Sequence, residues 1–82
     1  MLSDLVDCRN IIVGTKQVLR ALEAEKVRKI YIANDADTFV LQKITMALRG
    51  KEVEIIRVDT MKQLGEACRI DVGAAVAALP IG

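Results

Sequence analysis

The sequence contains no histidine and no tryptophan, and it has only one tyrosine, one phenylalanine, one proline and two cysteines. Without histidine the most common general base of enzymes is missing, and no serine or cysteine lies in a nucleophile-elbow pattern. Two thiolates also cannot supply the four ligands of a tetrahedral zinc site without rare help from carboxylates. We therefore expect no catalytic activity, no metal ion and no cofactor.

The two cysteines, Cys8 and Cys68, lie sixty residues apart and form no C-x-x-C pair. Free cysteine behaves as a small hydrophobic residue, so we expect both to be buried, reduced thiols. The first residues show no signal-peptide pattern, and the longest apolar stretch (residues 72–81) is far shorter than the ~20 residues that cross a bilayer. These absences predict a cytoplasmic protein with no membrane partner.

The length of 82 residues fits one domain, and 52% of the residues are hydrophobic while only 2% are aromatic. The core must therefore be built from valine, isoleucine, leucine and alanine. The net charge of +1 gives no reason to expect a nucleic-acid partner, but residues 9–29 carry six basic side chains against two acidic ones. Positive charge is concentrated in this segment.

Hydrophobic periodicity predicts four helices and four strands in the order αβαβαβαβ. Ser3 is expected to cap a first helix, and Thr15, Phe39 and Thr60 stand near the starts of the others. The predicted strands are residues 11–13, 27–33, 53–58 and 76–79. Short connections between alternating helices and strands favour helices on both faces of a mixed four-stranded sheet, which is an α/β three-layer α/β/α sandwich.

The junction of the first strand and the second helix carries an unusual set of polar residues, Gly14, Thr15, Lys16 and Gln17. A helix start attracts phosphate through its unpaired backbone N–H groups, and Lys16 and Arg20 lie one turn apart on one side of it. Gln17 can both donate and accept hydrogen bonds, as base edges require. Anion binding and an ordinary solvated helix face both remain open.

This junction does not match a nucleotide-hydrolysing phosphate loop. The G-x-x-x-x-G-K-[S/T] motif needs a glycine where Arg9 stands, and the order of Thr15 and Lys16 is reversed.

Asp35 and Asp37 could form an acid–base pair or a cation site, but their place before a helix makes capping the simpler interpretation. Residues 70–75 form an unusually apolar connector, either a packed part of the core or a small surface for nucleobases or a partner chain.

The segments "VGTKQVLRALE", "IYIANDAD" and "MKQLGEACRIDVGAAVAAL", in this order and spacing, resemble the ribosomal protein L7Ae and L30e superfamily, most closely its short bacterial YbxF-type members. The resemblance covers nearly the entire chain. It implies an α/β/α sandwich over residues 1–82 that acts as one RNA-binding domain. The implied partner is kink-turn RNA, a sharply bent internal loop beside tandem sheared G·A pairs, with the ribosome as one candidate location and the protein as a monomer.

The resemblance also assigns roles to particular positions. Gly14 and Thr15 would approach the RNA backbone, while Lys16 and Gln17 stand where archaeal and eukaryotic relatives have an Asn-Glu pair that reads guanines. Arg20 stands where those relatives have lysine. Asp35 matches a widely shared aspartate, and Leu41 matches an apolar position that packs on a flipped-out base. The loop that would cover unpaired nucleotides consists of Ile70, Asp71, Val72, Gly73, Ala74 and Ala75.

Two departures from the family pattern change the expected binding. Lys16 cannot accept a hydrogen bond and Gln17 is neutral, so contacts should depend more on phosphate charge, with a steeper salt dependence. Gly73 stands where many relatives have proline, which predicts a more flexible loop before binding. The alternative function is a protein-interaction module of the same superfamily that uses the apolar loop for dimerisation or partner docking.

Overall fold

A computed structural model describes residues 10–81 of the chain. The predicted first helix at Ser3 and the prediction for Cys8 lie outside these residues. Within them the strands are β1 (Ile12–Val13), β2 (Val27–Ala33), β3 (Glu54–Val58) and β4 (Val76–Pro80), and the helices are α1 (Thr15–Glu23), α2 (Thr38–Ala47) and α3 (Met61–Ala67). Helices and strands alternate along the chain as predicted.

The four strands form one mixed sheet in the order β1-β4-β2-β3. β2 and β3 are parallel, and β4 runs antiparallel to both of its neighbours, β1 and β2. The carboxyl ends of β1, β2 and β3 therefore meet the amino end of β4 at one edge of the sheet. We call this the carboxyl edge.

Helices cover both faces of the sheet, which confirms the predicted α/β/α sandwich. On one face, Val18 and Leu22 of α1 and Ile44 of α2 pack against Ile30 and Ile32 of β2. On the other face, α3 packs through its buried side chains against alternate residues of β2 and β4; this second cluster includes Leu64, Ala67, Tyr31, Ala33, Ala77 and Leu79. Complete burial of one leucine-sized side chain contributes about 1.5–3 kcal/mol, so these contacts fix both layers.

Helices α1 and α3 end in the same backbone motif. Arg69 follows the last turn of α3 with a φ of 62°, and its N–H donates to the carbonyl of Glu66 at 3.0 Å. The N–H of Ile70 then donates to the carbonyl of Gly65 at 3.1 Å. This Schellman arrangement satisfies the last carbonyls of the helix and turns the chain back along it. It fixes where the following loop begins.

The predicted element boundaries differ from the structure by one residue in several places. β1 begins at Ile12 and β3 at Glu54, whereas the predictions began one residue earlier. β4 includes Pro80, which pairs with Val27 at an irregularity in the register between β2 and β4. Proline is tolerated at such a position because the regular hydrogen-bond ladder is interrupted there.

Candidate nucleic-acid interface

Backbone hydrogen bonds bring the predicted site segments together at the carboxyl edge. The N–H of Gly14 donates to the carbonyl of Val76 at 3.1 Å, which joins the β1–α1 junction to the end of the loop over residues 70–75. The N–H of Ala33, at the end of β2, donates to the carbonyl of Ala75 at 2.9 Å. Segments that lie about sixty positions apart in the sequence are thus held side by side at this edge.

Gly14 holds the β1–α1 junction in a conformation that favours glycine. It is the N-cap of α1 with φ 102° and ψ 146°, and its carbonyl accepts the first helical hydrogen bond, from the N–H of Val18 at 3.0 Å. A Cβ added at Gly14 would meet no atom of the described residues within 4 Å. The glycine is required by the backbone conformation, and no neighbour among residues 10–81 fills the space beside it.

The polar face of α1 points into solvent next to this junction. Lys16, Gln17 and Arg20 are exposed, because Val18 and Leu22 are buried against the sheet and fix the helix rotation. Neither Lys16 nor Arg20 has an ion-pair partner within residues 10–81. Thr15 is half-buried at the first position of the helix. Within the part of the chain that the structure describes, no acidic side chain therefore competes with an anionic ligand for these two charges.

The two aspartates of the β2–α2 turn cap different helices. Oδ1 of Asp37 accepts the N–H of Phe39 at 2.7 Å, which confirms the capping interpretation for α2. Oδ1 of Asp35 instead accepts the N–H of Met61, the first residue of α3, at 2.7 Å. The spacing in the sequence gave no indication of this second bond, since its partners lie 26 residues apart. A direct RNA contact by Asp35 stays a prediction.

The apolar loop is partly core and partly surface, and binding of nucleobases or a partner chain by its exposed part stays a prediction. Ala74 is only 4% exposed and belongs to the buried cluster under α3, while Ile70 and Ala75 are half-buried against the same cluster. Asp71, Val72 and Gly73 are exposed, and Val72 presents 69% of its surface. We call these three residues the loop tip. The side chain of Ala74 is turned into the core and does not form part of the surface.

The course of the loop is set by contacts with α3. The N–H of Ala74 donates to the carbonyl of Met61 at 3.0 Å. A Cβ added at Gly73 would lie 3.1 Å from Cβ of Met61, and one added at Gly65 would overlap the carbonyl oxygen of Val72. Glycine at position 65 thus allows the loop backbone to approach the helix directly.

Leu41 lies beside the carboxyl edge, on α2. It is half-buried and packs against the same cluster as Ile70 and Ala75. It also lines an open groove along α2 together with Thr38, Gln42, Thr45, Met46 and Arg49. Leu41 therefore combines a structural contact with a partly accessible surface.

Two features of this region were not predicted. Phe39, in the first turn of α2, is 63% exposed although it is a large apolar residue, and the Lys43 ammonium lies 4.6 Å from its ring centroid. The side chains of α2 that pack against the sheet recur at helical spacing around Ile44. Phe39 precedes the first of them by one residue and is not among them. In addition, Nε of Arg57 donates to Oδ1 of Asn34 at 2.8 Å, which braces the β2–α2 turn from β3.

Cys68 is buried and not part of a disulfide, as predicted, and burial raises the pKa of its thiol. Within residues 10–81, no three acidic or cysteine side chains converge as metal ligands. The helices in this range are also too short or too polar to span a bilayer.

Comparison with known protein families identifies the sequence. The model of the ribosomal protein L7Ae/L30e/S12e/Gadd45 family matches residues 1–80. The chain belongs to this family. Among its L7Ae-family relatives, an RNA-binding protein of Halalkalibacterium halodurans is 50% identical over 70 residues, covering 85% of each chain. RNA-binding protein YbxF of Geobacillus stearothermophilus is 44% identical over 69 residues, covering 84% of each chain.

Solved structures show the same L7Ae-type fold. The Giardia lamblia 15.5kD RNA binding protein superposes with a TM-score of 0.85 at 23% identity, over 99% of this chain and 68% of that one. A protein of unknown function from Bacillus halodurans superposes with a TM-score of 0.81 at 19% identity, over 95% of this chain and 78% of the other. At these identities the likeness concerns the fold.

Proposed function

We propose that this L7Ae-family protein binds RNA and that its target is the kink-turn, with tandem sheared G·A pairs beside a sharp bend. The observation that carries the proposal is the hydrogen bond from Gly14 to Val76, because it joins the cationic helix start to the residue that follows the apolar loop. The names of its relatives, which are RNA-binding proteins, support the same class of partner.

The β1–α1 junction would bind the RNA backbone. The first N–H groups of α1 and the open space beside Gly14 allow a phosphate to approach closely. Lys16 and Arg20 add two exposed positive charges one helical turn apart, and Gln17 can hydrogen-bond a base edge. Phosphate contacts would supply most of the affinity, and Gln17 is the candidate for base recognition.

The loop tip and the α2 groove would bind unpaired nucleotides. Val72 and Gly73 expose a small apolar surface that can pack against the flat face of a base. Leu41, in the groove along α2, would contact a nucleotide that is turned out of the bend. The loop is joined to the helix start by the Gly14–Val76 bond, and Leu41 packs against the same buried cluster as the loop, so we expect one RNA element to contact all three.

Binding would stabilise the bent RNA without a chemical step. A protein that contacts only the kinked conformer shifts the RNA population towards it. The interface residues lie on a helix start, a helix face and a loop anchored at both ends, so little additional ordering of the protein is needed. Most of the free energy gained from the contacts can then offset the free energy required to bend the RNA.

A gel-shift assay with two RNA duplexes tests this function. One duplex carries a standard kink-turn, and the other is identical except that its G·A pairs are replaced by Watson–Crick pairs. We expect tight binding to the first and at least about tenfold weaker binding to the second. Equal affinity for both duplexes, or no binding to either at low salt, would contradict the proposal.

The alternative, a dimerisation or docking module without RNA binding, is favoured by the 69% exposure of Val72. Size-exclusion chromatography with light scattering distinguishes the two functions. A concentration-dependent dimer that Val72→Asp abolishes would support the alternative, whereas a monomer at all concentrations supports the RNA-binding function. Crosslinking in cells, followed by sequencing of the bound RNA, would identify the natural target and test whether ribosomal RNA is among its ligands.

A further inference from the structure

Met61 forms hydrogen bonds with two different parts of the carboxyl edge. Its N–H donates to Oδ1 of Asp35 at 2.7 Å, and its carbonyl accepts the N–H of Ala74 at 3.0 Å. The chain then continues to Ala75, whose carbonyl accepts the N–H of Ala33, two residues before Asp35. These contacts close a ring that links the β2–α2 turn, the start of α3 and the end of the apolar loop.

The hydrogen bond that Asp35 accepts is charge-assisted, and such bonds are stronger than hydrogen bonds between neutral groups. A carboxylate accepts from a backbone N–H more strongly than a neutral oxygen does, and a negative charge is favourable at a helix start. The N-cap of α3, Thr60, accepts the N–H of Gln63 at 3.1 Å, so Asp35 satisfies a different one of the unpaired N–H groups. The carboxylate is thus directed at the protein backbone, and a bare carboxylate would be repelled by RNA phosphates.

We infer that Asp35 is a positioning residue: it holds Met61, and through Met61 the loop tip, in place for RNA recognition, and does not contact the RNA itself. This inference rests on the proposed function. A Cβ added at Gly73 would lie only 3.1 Å from Cβ of Met61, so the loop tip passes close to Met61 and a displacement of Met61 also displaces it. The loop would then lose its fixed position relative to Gly14. The N–H of Gly14 donates to the carbonyl of Val76, the residue that follows the loop.

Two substitutions remove the same hydrogen bond from opposite sides. Asp35→Ala removes the acceptor. Met61→Pro removes the donor, and proline is well tolerated at the first position of a helix when the preceding residue is extended, as Thr60 is with φ −136° and ψ 154°. Asp35→Asn keeps an oxygen that can accept the bond while removing the charge. Asp59→Ala is the charge-matched control, an exposed aspartate two residues before Met61.

Amide hydrogen exchange of Ala74 in the free protein and affinity for a kink-turn duplex at several salt concentrations are measured for each variant. We expect Asp35→Ala and Met61→Pro each to speed exchange at Ala74 and to weaken binding about tenfold, without changing the salt dependence. Asp35→Asn keeps the acceptor but loses the charge, so it should lie between the parent protein and Asp35→Ala in both measurements, and Asp59→Ala should not speed exchange. The double variant Asp35→Ala, Met61→Pro should bind no more weakly than either single variant.

Two results would overturn the inference. Unchanged exchange at Ala74 in both Asp35→Ala and Met61→Pro would show that the bond does not hold the loop. Weak binding by Asp35→Asn with parent-like exchange at Ala74 would show that the carboxylate acts on the RNA directly. If the parent protein does not bind kink-turn RNA, the proposed function fails, whereas the exchange measurements still decide whether Asp35 holds the loop.

Discussion

Gly14 and Val76 are joined by a backbone hydrogen bond of 3.1 Å between the start of α1 and the start of β4. β1 contributes only Ile12 and Val13 to the sheet, so this bond extends a very short strand pairing to the site itself. The bond holds the helix start next to the end of the apolar loop, as a two-part RNA-binding surface would require.

Gly14→Ala should reduce both stability and RNA affinity. Alanine at φ 102° and ψ 146° is strained by about 1–3 kcal/mol, although its Cβ would meet no described neighbour. Gly50→Ala is the matched control, because Gly50 also has a positive φ of 74° and open space but follows α2 at the opposite edge of the sheet. Urea denaturation should show a loss for both variants, and a kink-turn titration should show a loss for Gly14→Ala alone. Equal affinities for the two variants would refute the assignment of Gly14.

Lys16→Ala and Arg20→Ala should each weaken RNA binding by one to two orders of magnitude, about 1–3 kcal/mol, without loss of stability. Removing one phosphate contact should also reduce the slope of log affinity against log salt by about 1. Lys26→Ala and Arg28→Ala remove the same charges from exposed positions at the opposite edge of the sheet and should have much smaller effects. If all four variants bind RNA with the same affinity, the basic side chains act only through the net charge of the protein. The RNA-binding site would then not lie at Lys16 and Arg20.

Gly65→Ala should displace the apolar loop. The added Cβ would overlap the carbonyl oxygen of Val72, and because that atom belongs to the backbone, the loop or the helix must shift. Overpacking of this kind destabilises by about 1–3 kcal/mol. Gly73→Ala is the comparison with a milder overlap. Its Cβ would lie 3.1 Å from Cβ of Met61, so the neighbouring atoms have to move by only a small distance. Denaturation and RNA titration should rank Gly65→Ala as the more damaging change; the reverse order would contradict the described loop path.

Stability should fall at alkaline pH because of Cys68. Burial raises the pKa of its thiol above the ordinary value of 9.0, so the unfolded chain loses this proton at a lower pH than the folded protein does. The thiol is protonated in both states at pH 7, and the loss develops as the pH rises through and above 9. Urea denaturation at pH 7 and pH 10 should show a larger drop for the parent protein than for Cys68→Ala. Identical drops would mean that Cys68 is not responsible.

The sequence predicted those parts of the structure that depend on local patterns. Residues Val27–Ala33 form β2 with the predicted bounds, because a run of β-branched and apolar residues between polar segments is typical of a central strand. Asp37 and Thr60 cap their helices as their spacing indicated. The exposed positions of Lys16 and Arg20 also follow from the periodicity of α1 alone.

The parts that could not be predicted depend on contacts between distant residues. The bond between Asp35 and Met61 spans two elements, and both aspartates of the turn look equally suited to cap α2. Ala74 and Val72 have similar apolar character, yet one is buried and the other exposed because only the loop ends are bonded to neighbouring segments. Local spacing carries no information about such long-range pairings.

The central claim, that the protein stabilises the kinked conformer of its RNA, is tested most directly by fluorescence resonance energy transfer between dyes on the two arms of a kink-turn duplex. The titration is made at a salt concentration where the free RNA is mostly extended. The parent protein should raise the transfer efficiency to that of the bent form, the double variant Lys16→Ala, Arg20→Ala should require a much higher concentration, and a duplex without G·A pairs should not respond. An unchanged efficiency with the parent protein, or an equal rise for the duplex without G·A pairs, would contradict the claim.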